Sequence, residues 1–216
     1  NIDKAQSKSC DPVFEEWKRA GMMTPELIWE RHKKAVKAGN KSMASYLSNL
    51  LPTTTRPAAV LMQEVEANPR LLKQTARFSK QSLQMKAVIL RGLEKIASTD
   101  AKEALSLWHQ YDAQQLFSDE DRIDIKYEIA LRLLRQDHEA DAEKLVASTP
   151  NLTRTDLLEW LLRESLRKQD WERVNEWLSR LPDDARKSER WRYWQASTME
   201  KLDIKEINGE TPMAIY

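Results

Sequence analysis

Gln136-Asp137-His138-Glu139-Ala140-Asp141-Ala142-Glu143 is followed by a near copy, Gln169-Asp170-Trp171-Glu172-Arg173-Val174-Asn175-Glu176. Each opens a helical pattern that runs out at a proline, Pro150 and Pro182, which lie 32 residues apart. Gly39-Asn40 leads to Pro52 over the same distance: Gly39 to Pro52, Asp137 to Pro150 and Gln169 to Pro182 each span 13 residues. Ala101-Lys102-Glu103-Ala104-Leu105 reads as a more degenerate copy. A period of about 32 to 38 residues is that of a helix–turn–helix repeat. One such pair cannot bury its apolar face alone, whereas stacked pairs share a continuous core. The expected fold is all-α: an α-solenoid of antiparallel helix pairs wound as a right-handed superhelix, with a compact bundle as its competitor. Residues 53–100 fit the period poorly.

Outward from these copies, apolar spacing is helical nearly throughout. Asp11-Pro12 is a helix start ahead of Val13, Phe14, Trp17 and Ala20, with Gly21 ending that helix. Thr24-Pro25 begins the next, with Leu27, Ile28, His32, Ala35 and Val36 assigned to one face. Further helices are expected from Gly39-Asn40 to Leu51, over 56–67, from an Asn68 cap through Phe78, and over 81–97 and 100–115. The acid-rich turn Ser118-Asp119-Glu120-Asp121 suits a positive helix end and starts a helix to Arg135. Residues 138–147, 153–168, 170–181 and 188–202 complete the series, with no alternating run long enough for a strand. Links this short force neighbouring helices antiparallel. The expectation is one domain over 1–216, with 203–216 as a tail.

Composition narrows the function classes. Lys and Arg total 35 against 34 Asp and Glu, which argues against a strongly basic nucleic-acid binder. Four glycines and eight prolines cannot supply Gly-rich phosphate loops or a turn-rich β fold. A mean hydropathy of −0.70 is unlike that of a membrane-spanning chain. Asn1-Ile2-Asp3 lacks both the basic and the apolar parts of an export signal, as expected of a mature protein or a cut fragment. Cys10 is the single cysteine. It reads as a small buried or free thiol, as half of a disulfide whose partner lies elsewhere, or, least favoured, as a nucleophile without a histidine. His32, His109 and His138 are too scattered to ligate a metal, and no cofactor is expected.

Glu164-Ser165 and Val60-Leu61-Met62-Gln63 resemble fragments of a glycosidase site, but both lie inside helical patterns. A glycosidase needs carboxyls flanking a cleft, one with a raised pKa. Glu15-Glu16, Asp119-Glu120-Asp121 and Asp183-Asp184 read instead as solvated acids or helix caps. The eight tryptophans, Trp17, Trp29, Trp108, Trp160, Trp171, Trp177, Trp191 and Trp194, mostly occupy apolar positions. They are expected to fill space between stacked helices. Arg190-Trp191-Arg192-Tyr193-Trp194, beside Arg186 and Lys187, is the densest aromatic and basic cluster. It reads as a packing seam with solvated or paired arginines.

Two stretches carry a family resemblance. Cys10-Asp11-Pro12-Val13-Phe14-Glu15-Glu16-Trp17-Lys18-Arg19-Ala20-Gly21 precedes Ala35-Val36-Lys37-Ala38-Gly39-Asn40, and Trp177-Leu178-Ser179-Arg180-Leu181-Pro182 precedes Trp191-Arg192-Tyr193-Trp194-Gln195-Ala196. In order and spacing, residues 8–198 resemble the helical region of the bacterial soluble lytic murein transglycosylases. The resemblance implies a superhelical domain without catalysis of its own. In that family a lysozyme-like domain uses one Glu to cleave between N-acetylmuramic acid and N-acetylglucosamine, leaving a 1,6-anhydro product. The Glu-Ser and Gly-Leu-Met-Gln motifs of that domain are not matched in context by Glu164 or Gln63, so no catalytic residue is carried over. The resemblance also implies an upstream partner for Cys10 and an oxidising periplasm.

The leading expectation is thus a periplasmic, monomeric scaffold for peptidoglycan glycan strands, serving a lysozyme-like catalytic domain absent from this chain. Neither nucleic acid nor a membrane span is expected. The alternative is a repeat-type α-solenoid interaction module with no enzymatic parent.

Overall fold

The structure, a computed structural model, describes residues 23–207 and 209–216. Cys10, Glu15-Glu16, Trp17 and the helix expected after Asp11-Pro12 lie outside the described residues. The chain divides into two compact units, Asn1–Ser118 and Asp119–Tyr216. Among the described residues there are twelve α-helices and no strand; the one β-bridge joins Ile207 and Glu210.

In the first unit, α1 (Pro25–Lys37) pairs with α2 (Lys41–Leu50), and α3 (Arg56–Ala67), α4 (Leu83–Ala97) and α5 (Ala101–Asp112) follow. Thr24 caps α1 by accepting from the Leu27 N–H, and Pro25 supplies a preset φ at its first position. Ser82 and Asp100 cap α4 and α5 in the same way. The buried stripe of α1 is Ile28, Trp29, His32, Ala35 and Val36, whereas Leu27 is 48% exposed and faces away from it.

The second unit contains α6 (Asp119–Arg135), α7 (Glu139–Ala147), α8 (Thr155–Lys168), α9 (Trp171–Arg180), a short α10 (Asp183–Arg186), α11 (Glu189–Lys201) and a short α12 (Pro212–Ile215). Helix α6 pairs with α7, and α8 with α9. The end of α7 and the loop after it are held from α9: Arg180 donates to the carbonyls of Val146, Thr149 and Leu152. Residues 203–216, expected as a tail, fold back on α11. Ile215 joins Ala196 and Met199 in a small core that Ile204 and Ile207 cover.

The repeat is written in the backbone. Gly39, Asp137 and Gln169, the residues 13 before each proline, all adopt left-handed φ, at 71°, 60° and 57°. The next residue closes the same C-cap each time: the N–H groups of Asn40, His138 and Asp170 reach the carbonyls of Ala35, Leu133 and Ser165 at 2.8–2.9 Å. Burial repeats in the same register. Seven residues before the turn stand His32, Ala130 and Leu162; eight after it stand Leu47, Leu145 and Trp177; twelve after it stand Leu51, Thr149 and Leu181. Asp203, at φ 53°, ends α11 with the same bond, from the Ile204 N–H to the Met199 carbonyl. The structural offset between the two later copies is 32, so the look-alike octapeptides align one residue out of register: Asp137 corresponds to Gln169 and not to Asp170.

The helix expected from Asn68 through Phe78 is replaced by two 3₁₀ segments, Pro69–Lys73 and Thr75–Phe78, and the Asn68 side chain makes no capping bond. Tertiary contacts account for this. Leu72 is fully buried against Gly92 of α4, where an added Cβ would lie 2.5 Å from Leu72 Cδ1. The Leu72 carbonyl accepts the Tyr111 hydroxyl at 2.7 Å, and Phe78 meets the Tyr111 ring edge-on at 6.2 Å. An α-helical turn here would draw that carbonyl into the helix ladder.

Candidate functional site

Acid chemistry comes first, because a glycosidase would show it. Among the described residues the buried polar side chains are His32, Ser48, Thr149, Ser165 and Thr198, with no carboxylate among them. Glu164-Ser165 lies within α8 and is split by it. Ser165 is buried in the seam, and Glu164 is ion-paired with Arg167. Val60-Leu61-Met62-Gln63 lies within α3, where Gln63 accepts from the Ser45 hydroxyl. Asp119-Glu120-Asp121 and Asp183-Asp184 occupy the first turns of α6 and α10.

The displaced carboxyls move the wrong way for a general acid. Backbone hydrogen bonding and the Thr24 side chain hold Glu26 below its ordinary range. Burial works upward on Glu66, but hydrogen bonds and charge from Arg91 and Lys95 outweigh it and leave the carboxyl lowered. Glu139 is lowered chiefly by its hydrogen bond from Lys168. A glycosidic acid needs a pKa moved upward by desolvation. Nor do the described residues gather three or more metal-ligating side chains. His32 is fully buried, stacked on Trp29 at 5.7 Å, and burial pushes its pKa down to about 4.

A groove of about 560 Å³ in the first unit is lined by Pro57, Val60, Leu61 and Met85 between Arg56, Glu64 and Arg77. Its charges are committed. Arg56 donates to the carbonyls of Asn49 and Leu51, and Arg77 pairs with Glu64 at 2.7 Å.

The tryptophans separate by depth. Trp29, Trp108, Trp177 and Trp191 are buried, as expected of spacers, while Trp160, Trp171 and Trp194 are half-buried. The cluster at 190–194 is a seam on one side only. Trp191 is 1% exposed and its indole N–H donates to Glu159 at 2.8 Å. Arg192 donates to the carbonyls of Ala214 and Ile215, fastening α12 to α11. On the other side Tyr193 is 54% and Tyr216 57% exposed. Their rings lie 5.7 Å apart, inclined at 60°, and Trp194 meets Tyr193 edge-on at 5.3 Å. The Tyr216 hydroxyl donates to Glu200 at 3.2 Å. Tyr193, Ser197 and Glu200 share one face of α11 by their i, i+4, i+7 spacing. That polar face was the available signal that Tyr193 stands outside the seam.

This aromatic surface is the candidate recognition site: exposed rings in mutual contact with a carboxylate at the rim and, among the described residues, no buried acid beside them.

No protein-family model matches the chain. It is 29% identical over 211 residues to the soluble lytic murein transglycosylase of Escherichia coli strain K12, covering 94% of this chain and 32% of that protein. Identity to the Salmonella typhimurium soluble lytic murein transglycosylase is 28% over 200 residues, covering 91% of this chain and 30% of that protein. The crystal structure of an inactive variant of the lytic transglycosylase Slt from Pseudomonas aeruginosa superposes with a TM-score of 0.79 at 34% identity, over all of this chain and 34% of that one. The chain is therefore homologous to soluble lytic murein transglycosylases over about 94% of its length, and it spans about a third of the length of the relatives it matches.

Proposed function

We propose that this chain is the non-catalytic superhelical scaffold region of a periplasmic lytic murein transglycosylase, acting as a monomer and as one domain. It holds or guides peptidoglycan glycan strands for a lysozyme-like catalytic domain attached elsewhere, and so serves cell-wall turnover. The observation that carries this reading is the coincidence of two facts. Homology runs along nearly the whole chain, yet the described residues bury no carboxylate and place Glu164 in a surface ion pair. The mechanism is geometric. Stacked helix pairs present a broad surface, and binding there raises the local concentration of substrate near a tethered active site. No helix among the described residues is long and apolar enough to cross a membrane, which accords with a role outside the bilayer.

The three-fold burial register also suits a protein-interaction module, since solenoids expose extended binding faces. Purified sacculi separate the two readings. The chain alone is expected to co-sediment with sacculi and to release no anhydromuropeptide. Release above a buffer control overturns the non-catalytic assignment, and failure to co-sediment favours the interaction module.

A further inference from the structure

We infer that Tyr193, Trp194, Tyr216 and Glu200 form a seat for a β-1,4-linked N-acetylhexosamine strand, an inference that rests on the murein role proposed above. The first support is exposure. Tyr193 and Tyr216 present more than half their surface while their backbones are fixed, one in α11 and the other by the Arg192 bonds to Ala214 and Ile215. A ring ordered before binding loses little conformational freedom on binding.

The second support is chemistry. The rings are amphipathic and edged by hydroxyls, with the Glu200 carboxylate at the Tyr216 end. A partner helix is matched by an aliphatic groove, and a polyanion by unpaired cations. Of the basic side chains in the cluster, Arg192 is spent on backbone carbonyls, Arg186 pairs with Asp183, and Arg190 lies over the Trp191 ring at 6.0 Å. What remains suits a neutral, polar ligand with apolar faces. Sugar C–H faces lie on the electron-rich face of each tyrosine, and a sugar hydroxyl or acetamido N–H donates to Glu200. Two rings inclined at 60° offer faces to neighbouring units of one strand. No covalent step is involved.

The test uses the full chain, with chitotetraose as soluble probe and sacculi as polymer. Chitotetraose is expected to perturb the tryptophan fluorescence, and Tyr193→Ala to weaken its binding by about tenfold. Tyr193→Phe keeps the ring and is expected to bind within about twofold of the parent, while both variants keep the parent's thermal midpoint. Tyr193→Ala with Tyr216→Ala is expected to lose sacculus retention. If the parent chain is retained on sacculi and the double variant is retained equally, the seat is wrong and the murein role stands. If the parent is not retained at all, the murein role itself fails. If the double variant instead abolishes a concentration-dependent dimer seen in ultracentrifugation, the surface is a self-contact and the seat is overturned.

Discussion

The hairpins that turn at Asp137 and Gln169 and the segment 68–82 solve the same problem by different physics. In the hairpins each chain reversal is local. One left-handed residue and one N–H to the carbonyl five residues back end a helix, and the next residue starts another. In 68–82 the backbone is held from a distance. The Leu72 carbonyl is satisfied by Tyr111, 39 residues on, and Leu72 fills the space left by Gly92. Local solutions repeat, because a short sequence encodes all of their parts. The long-range solution occurs once and interrupts the period.

The largest expected effect tests the long-range side. Phe78 is fully buried and edge-on to Tyr111. Phe78→Ala should destabilise the first unit by about 3–5 kcal/mol, read by chemical denaturation. A loss under about 1 kcal/mol would mean that the 3₁₀ segments are held by their own turns and not by this core.

A smaller effect lies within the repeating side. The register position that Ala130 and Leu162 fill is occupied by a buried histidine in the first hairpin. Burial pushes the His32 pKa down from 6.5 to about 4. Below pH 6.5 the unfolded chain binds a proton that the folded chain refuses, so stability rises with pH across this window and is lost as the pH falls. The loss approaches about 3 kcal/mol by pH 4, of which about 2 kcal/mol should appear between pH 7 and pH 5. That upper range isolates His32, because Glu66, whose carboxyl is also lowered, loses its stabilisation only below its unfolded value near 4.5. His32→Leu should flatten the slope between pH 7 and pH 5. An unchanged slope would assign the acid sensitivity to other groups.

How much of this was legible follows from the same contrast. Helix starts at Thr24-Pro25, Asn40, Asp100 and Asp170 were readable because capping uses the side chain that is seen. The proline spacing located Gly39, Asp137 and Gln169 as equivalent residues, which their shared φ confirms. Matching by identity slipped by one, because it followed surface residues while the core set the register. Residues 69–78 were misread as one helix because Tyr111 and Gly92 are remote in sequence. The fold-back of 203–216 went unseen for a similar reason, since its core is Ala196, Met199 and Ile215. Of the candidate site, the cluster at 190–194 was visible but its sidedness was not. Tyr216, which makes Tyr193 half of a pair, lies in that same unseen fold-back.

The smallest expected effect bears on the turns themselves. Asp137 and Gln169 hold a backbone conformation that a Cβ disfavours by about 1 kcal/mol, whereas Gly39 holds the same conformation without a Cβ and bears no such cost. Asp137→Gly and Gln169→Gly should each stabilise the chain by about 0.5 kcal/mol, the relief being partly offset by the greater freedom of glycine when unfolded. Gly39→Ala should cost about 1 kcal/mol. An added Cβ there meets nothing within 4 Å, so no steric clash can supply that loss. Opposite signs at equivalent positions, read as shifts of the thermal midpoint, would mark the left-handed turn as the shared element. If Gln169→Gly and Gly39→Ala shifted the midpoint in the same direction, the three turns would not be energetically equivalent, and their common geometry would have to be imposed by the packing of the helices they join.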